Sequence, residues 1–154
     1  MNGGDGFFDT NVLLYLLSAD TAKADRAEEV LALGGTISVQ VLNEFAALAS
    51  RKLRMSWREV REVLAQIRAV CTVVPVTIET HEQALRIAER YGLSIYDALI
   101  VSAALLAGCK TLHSEDMQHG QVIERRLTIR NQSAASLIAV LSTCGWLEQP
   151  KLQL

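Results

Sequence analysis

Residues 94–116 read SIYDALIVSAALLAGCKTLHSED. Ile95 to Ala107 is apolar nearly all round, which a helix tolerates only as a buried central element. Ser94 stands where an N-cap belongs, and Gly108 is a stop signal. Lys110 to His113 then reads as a strand, and Ser114, Glu115 and Asp116 follow directly after it. A buried helix feeding a short strand, with acids just past the strand's end, is one unit of an α/β sheet.

The same unit recurs toward the N-terminus. Gly6-Phe7-Phe8 reads as a strand that runs into Asp9, followed by a helix over residues 11–17. Asp20 caps a helix reaching Leu33, and Gly34-Gly35 ends it. Residues 36–38 form a second strand, and Ser38 caps a helix over 39–53. Ser56 and Glu59 form a capping box that opens a helix to about Val70. The β-branched run 72–74 predicts a third strand, closed by Pro75. Thr77 opens a helix that stops at Gly92. Beyond His113, residues 127–130 read as a strand and 133–142 as a last helix. The alternation predicts a mainly parallel sheet with right-handed crossovers.

A chain of 154 residues fits one domain. Half of it is apolar, the mean hydropathy is +0.20, the formal charge is −2 and the pI about 5.9. A core is affordable on that composition, and disorder is excluded. The acidic balance argues mildly against a nucleic-acid partner, unless several acids are occupied by a cation. Cys71, Cys109 and Cys144 are odd in number and widely spaced, so they read as reduced thiols in a cytosolic protein. The N-terminus lacks the basic start of a signal peptide, and no apolar stretch is long enough to span a bilayer.

Four acids stand where acids are expensive. Asp97 lies in the buried helix, although with Ser94 it also fits a capping box. Glu44 sits between Leu42, Phe45 and Ala46, or else belongs to an exposed stripe with Gln40 and Asn43. Asp9 follows a strand, where it also suits an N-cap. Asp116 follows another, where an acidic loop is equally ordinary. Ligands of open α/β sheets bind beyond the carboxyl ends of the strands. If strands one and four are neighbours, all four acids converge on one crevice. Carboxylates so gathered repel one another unless a cation sits among them. Oxygen ligands alone select Mg²⁺ or Mn²⁺, and such ions suit phosphodiester hydrolysis.

These residues resemble the PIN-domain nucleases, most closely the VapC-type ribonuclease toxins of toxin–antitoxin pairs. The matching pieces are Phe8-Asp9-Thr10-Asn11, Asn43-Glu44-Phe45, Tyr96-Asp97-Ala98-Leu99-Ile100 and Ser114-Glu115-Asp116-Met117. The likeness covers about residues 6–130 and leaves 131–154 as a helical extension of a single domain. It implies an α/β/α fold with a five-stranded parallel sheet, order 3-2-1-4-5. It implies Mg²⁺ or Mn²⁺ on Asp9, Asp97 and Asp116, with Glu44 completing the site or orienting water. Thr10, Asn11 and Ser114 would support the acids, and Glu115 rivals Asp116 for the last position. An RNA substrate, a cognate antitoxin, a homodimer and a cytoplasmic setting follow by the same analogy.

Arg51, Lys52, Arg54, Arg58, Arg61 and Arg68 outnumber the acids between residues 51 and 68, so Arg51, Lys52 and Arg54 are candidates for gripping phosphates. A solvated helix face explains them equally well. Glu82, Arg86 and Arg90 have the spacing of surface pairs along one helix. Two other readings remain: a PIN module that binds RNA or protein without cutting, and a phosphatase or phosphorelay receiver. The second lacks the Asp-x-Asp-x-Thr run expected after strand one.

Overall fold

Short, apolar strands set the frame. In the computed structural model, which describes residues 6–32 and 34–131, β1 is Gly6–Phe8, β2 Gly35–Ser38, β3 Cys71–Val74 and β4 Thr111–His113. Two further strands follow, β5 at Val122–Ile123 and β6 at Leu127–Arg130. Their order is β3-β2-β1-β4-β6-β5, and every pairing is parallel except β5 with β6. The five parallel strands therefore lie in the expected sequence, with strand one beside strand four. The expectation of five strands is corrected to six. Two residues are too few to show a period of two, so β5 left no pattern to read.

Phe7, Leu112 and Ile129 are register partners across β1, β4 and β6, and all three are fully buried. Burying side chains of this size contributes roughly 1.5–3 kcal/mol each. On β2, Gly35 has a different reason to be small. The Phe8 ring lies so close that a Cβ at residue 35 would stand 2.1 Å from it. Phe8 also stacks on the His113 ring, 5.3 Å between centroids.

The helices are α1 Thr10–Leu14, α2 Thr21–Ala32, α3 Val39–Arg51, α4 Trp57–Val70, α5 Ile78–Tyr91 and α6 Ile95–Leu106. The helix expected at 11–17 is α1 followed by a 3₁₀ turn, Tyr15–Leu17, because Ser18 turns extended and ends it. Sequence caps act as read: Ser38 on Val41, Ser56 with Glu59, Thr77 on Thr80 and Ser94 on Asp97. Gly92 takes φ 67 at the end of α5, which a Cβ would disfavour. Helix α6 buries seven of its residues, among them Ser102, whose hydroxyl donates to Thr80 O on α5 at 2.9 Å. Cys71 and Cys109 are free and buried, and burial pushes the Cys71 thiol up to about 11. Among the described residues no helix is long and apolar enough to cross a membrane. The expected helix 133–142, the extension and Cys144 lie outside the described residues.

Candidate active site

The site grows out of strand register. Phe8 pairs with His113, so the next residues, Asp9 and Ser114, leave the sheet side by side. Asp9 N–H donates to His113 O at 2.9 Å, and Ser114 N–H to Arg130 O at 3.0 Å. These bonds carry the ladder one step past the strand ends. Asp9 then caps α1: its Oδ1 accepts from Thr10 N–H at 2.6 Å, while its Oδ2 accepts from the Ser114 hydroxyl at 2.7 Å. The ordinary reading of Asp9, an N-cap, is thus true, and the carboxylate is also 3 % exposed and faces further acids.

Two consecutive residues of α1, Thr10 and Asn11, and Tyr15 in the turn after it divide the remaining work. The Thr10 hydroxyl donates to Glu44 Oε2 at 2.7 Å, and Gln40 Nε2 donates to Oε1 at 3.1 Å. Glu44 is therefore not a stripe residue in open solvent; it is turned toward α1. Asn11 Nδ2 donates to Asp116 Oδ2 at 2.5 Å. Asp116 N–H reaches back to Ser114 Oγ at 3.3 Å. The rival acid, Glu115, accepts instead from the Tyr15 hydroxyl. Asp97 occupies the first turn of α6, where its N–H donates to Ser94 Oγ at 3.1 Å.

The acids feel one another. Burial, first, and the charges of Asp97 and Glu44 push the Asp9 carboxyl up to about 6, against the lowering effect of the Ser114 and Thr10 bonds. Asp97 is raised by burial, then by Asp116 and Glu44. Glu115 is raised by burial and by Asp116. Asp9, Glu44, Asp97, Asp116 and Glu115 thus share one electrostatic neighbourhood. The ion pairs among the described residues, Arg58–Glu62 and Arg90–Glu124, involve none of them. Neutral hydroxyls and amides orient these carboxylates, and among the described residues no ion pair compensates their charge.

Such a set of oxygen donors, negative and crowded, fits a hard divalent cation. Among the described residues, however, no group of three or more His, Cys, Asp or Glu side chains is arranged to hold a metal ion as it stands. Mutual repulsion favours that spread, and a cation would remove its cause. Arg51, Lys52 and Arg54 are exposed on the last turn of α3 and the loop after it. Arg51 stands seven residues past Glu44, about 10 Å along the helix axis, so the structure does not bring these cations onto the acids.

Sequence reasoning missed Tyr15, Gln40 and Asn131. Asn131 Nδ2 donates to the carbonyls of Glu115 and Met117 at 2.7 and 2.9 Å and pins the acidic loop. Tyr15 was findable: four residues after Asn11, it faces the same loop from the same side.

A parallel sheet with acids gathered past the ends of its first and fourth strands defines a class of α/β proteins built around an acidic crevice. The chain belongs to the PIN domain family, whose model matches residues 6–123. No curated protein matches it. Solved structures similar to it include VapBC2 from Rickettsia felis bound to a DNA fragment from its promoter, at 18 % identity and TM-score 0.62, covering 83 % of this chain and 98 % of that one. VapC20 from Mycobacterium tuberculosis, a toxin that cleaves the sarcin–ricin loop, is 27 % identical over 70 % of this chain and 86 % of its own, with TM-score 0.57. A toxin–antitoxin complex from Klebsiella pneumoniae is 19 % identical over 71 % and 85 %, with TM-score 0.56. The resemblance read from the sequence, to PIN domains and VapC-type toxins, agrees with these matches.

Proposed function

We propose that this protein is a metal-dependent endoribonuclease, the toxin of a toxin–antitoxin pair. The observation that carries the proposal is the acid cluster, oriented by neutral donors and in no ion pair among the described residues. Asp9, Asp97 and Asp116 would hold Mg²⁺ or Mn²⁺, which when bound supplies an activated water and offsets charge on the phosphate and leaving oxygens. Glu44, held from two sides by Thr10 and Gln40, orients the attacking water and takes up its proton. Ser114 keeps Asp9 aimed, and Asn11 does the same for Asp116. Tyr15 holds Glu115 to one side, so Asp116 is the stronger candidate for the last ligand. Arg51, Lys52 and Arg54 would grip RNA phosphates away from the acids.

The RNA substrate is proposed from the likeness to VapC20, and the antitoxin partner from the paired complexes among the similar structures. A homodimer and a cytoplasmic setting belong to the same proposal, as does a single domain spanning 1–154. Cleavage of RNA should vanish in Asp9→Asn, in Asp97→Asn and in EDTA. Undiminished cleavage in any of these would sink the proposal. One observation favours a second reading, a PIN module that binds without cutting: among the described residues, no three carboxylates are arranged around a metal position as they stand. Calorimetry with millimolar Mn²⁺ separates the two, since that module would take up no ion at Asp97.

A further inference from the structure

At the amino end of the same sheet, opposite the acids, lies a cleft of about 520 Å³ lined by Lys110, Arg125, Arg126, Cys109 and Thr128 among others. Lys110 precedes β4, and Arg125 and Arg126 precede β6. The two strands are parallel neighbours, and Thr128 N–H donates to Lys110 O at 2.9 Å, so the three cations are held at one edge. All three are exposed, and none forms an ion pair among the described residues.

The turn that presents them is unusual. It spans Ile123–Arg126, with Arg126 N–H donating to Ile123 O at 3.0 Å. Its central residues, Glu124 and Arg125, take φ of 51 and 57. Turns of this kind prefer Asn-Gly, because side chains with a Cβ are strained there. Here the strain is held by anchors on α5. Arg90 Nη1 contacts both Glu124 oxygens at 3.3 and 3.4 Å, and the Tyr91 hydroxyl accepts from Glu124 N–H at 3.0 Å. Arg90 thus reaches across to the hairpin rather than pairing along its own helix. Glu124 is tied down, and Arg125 and Arg126 are left to line the cleft. Strain kept at a site and anchored from outside it is a mark of function.

We infer that this cleft is a second RNA-binding site, which grips the phosphate backbone of the substrate at the end of the sheet away from the acids. The inference rests on the proposed RNA substrate for the identity of the polyanion. A chain of net charge −2 whose carboxyl end repels phosphates needs cations elsewhere to hold a long RNA. The cleft and the acids lie at opposite ends of β4, an interior strand, so an RNA that touches both must pass over the protein surface.

The test is direct binding, in an Asp97→Asn background that leaves RNA uncut. A fluorescein-labelled oligoribonucleotide long enough to span β4 is titrated by anisotropy at several salt concentrations. Replacing Lys110, Arg125 and Arg126 by Gln, Gly and Gln should weaken binding about tenfold at low salt and make the log–log salt slope shallower by about 2. Arg125→Gly alone should weaken RNA binding without lowering Tm, since relief of the left-handed strain offsets glycine's extra conformational entropy. Weaker binding at an undiminished Tm separates lost contact from lost fold, and Arg125→Lys should restore binding. If the Asp97→Asn protein binds RNA but the triple variant binds equally tightly with the same slope, the second site is overturned and the RNA substrate stands. If the Asp97→Asn protein itself does not bind RNA, both fall.

Discussion

The two ends of the parallel sheet treat charge in opposite ways. At the carboxyl end, acids are drawn together, partly buried and fixed by short bonds from Thr10, Asn11, Tyr15 and Ser114. At the amino end, Lys110, Arg125 and Arg126 are exposed, and the strain lies in the backbone of Glu124 and Arg125. On the proposed function, the difference is one of task. Chemistry needs groups whose positions are set before substrate arrives. Holding a polyanion needs charge at the surface, and side-chain mobility costs it little. Repulsion among the acids is the stored unfavourable term at one end; backbone strain is its counterpart at the other.

The contrast can be broken from either side. The largest effect belongs to the acids: Asp9→Asn or Asp97→Asn should lower RNA hydrolysis by on the order of 10³-fold or more, measured by cleavage of a labelled RNA. Retained cleavage would mean the crowded carboxylates are structural.

Next is the pH dependence of stability without metal. The Asp9 carboxyl holds its proton to about pH 6 in the folded protein, and an exposed aspartate only to about 3.8. Between those values the folded state binds more protons, so stability falls as pH rises across the window. The fall amounts to about 3 kcal/mol at most. Urea denaturation from pH 3.5 to 7 reads it. Asp9→Asn should flatten the profile, and millimolar Mn²⁺ should restore the stability lost above pH 6.

Smaller still is the loss of an orienting donor. Ser114→Ala or Thr10→Ala should reduce activity or metal affinity about 10–100-fold, with Thr10→Ser nearly intact. Equal loss in Thr10→Ser would show that packing, not the hydroxyl, matters. The smallest effect is at the other end, where Arg125→Gly should change stability by at most about 1 kcal/mol in the stabilising direction, the left-handed strain less glycine's entropy cost, read as an unchanged or raised Tm. A lowered Tm would remove the strain on which the comparison rests.

What could be read in the sequence follows physical range. Helix caps are local, and Ser38, Ser56, Thr77 and Ser94 announce them within three residues. The parallel strands are marked by apolar or β-branched runs between helices, and their order came with the family resemblance. Asp9, Glu44, Asp97 and Asp116 were singled out by their places relative to strands and a buried helix, and the structure brings them into one neighbourhood. Their chemical roles await the experiments above. The rest was illegible because it depends on contacts between distant segments. Tyr15 could be placed from its four-residue spacing to Asn11, but nothing local links Asn131 to the carbonyls of Glu115 and Met117. The two residues of β5 and the glycine-free turn after them carry no signal that a period or a turn preference detects.

Gly35 has a consequence for how this sequence can drift. Its missing side chain is the space the Phe8 ring occupies, and Asp9 is the next residue along. A larger residue at 35 would displace that ring from His113 and, with it, the backbone from which Asp9 projects. Positions 35 and 8 are therefore free to change only together. Any descendant that enlarges the first without shrinking the second pays in the aim of a carboxylate on another strand.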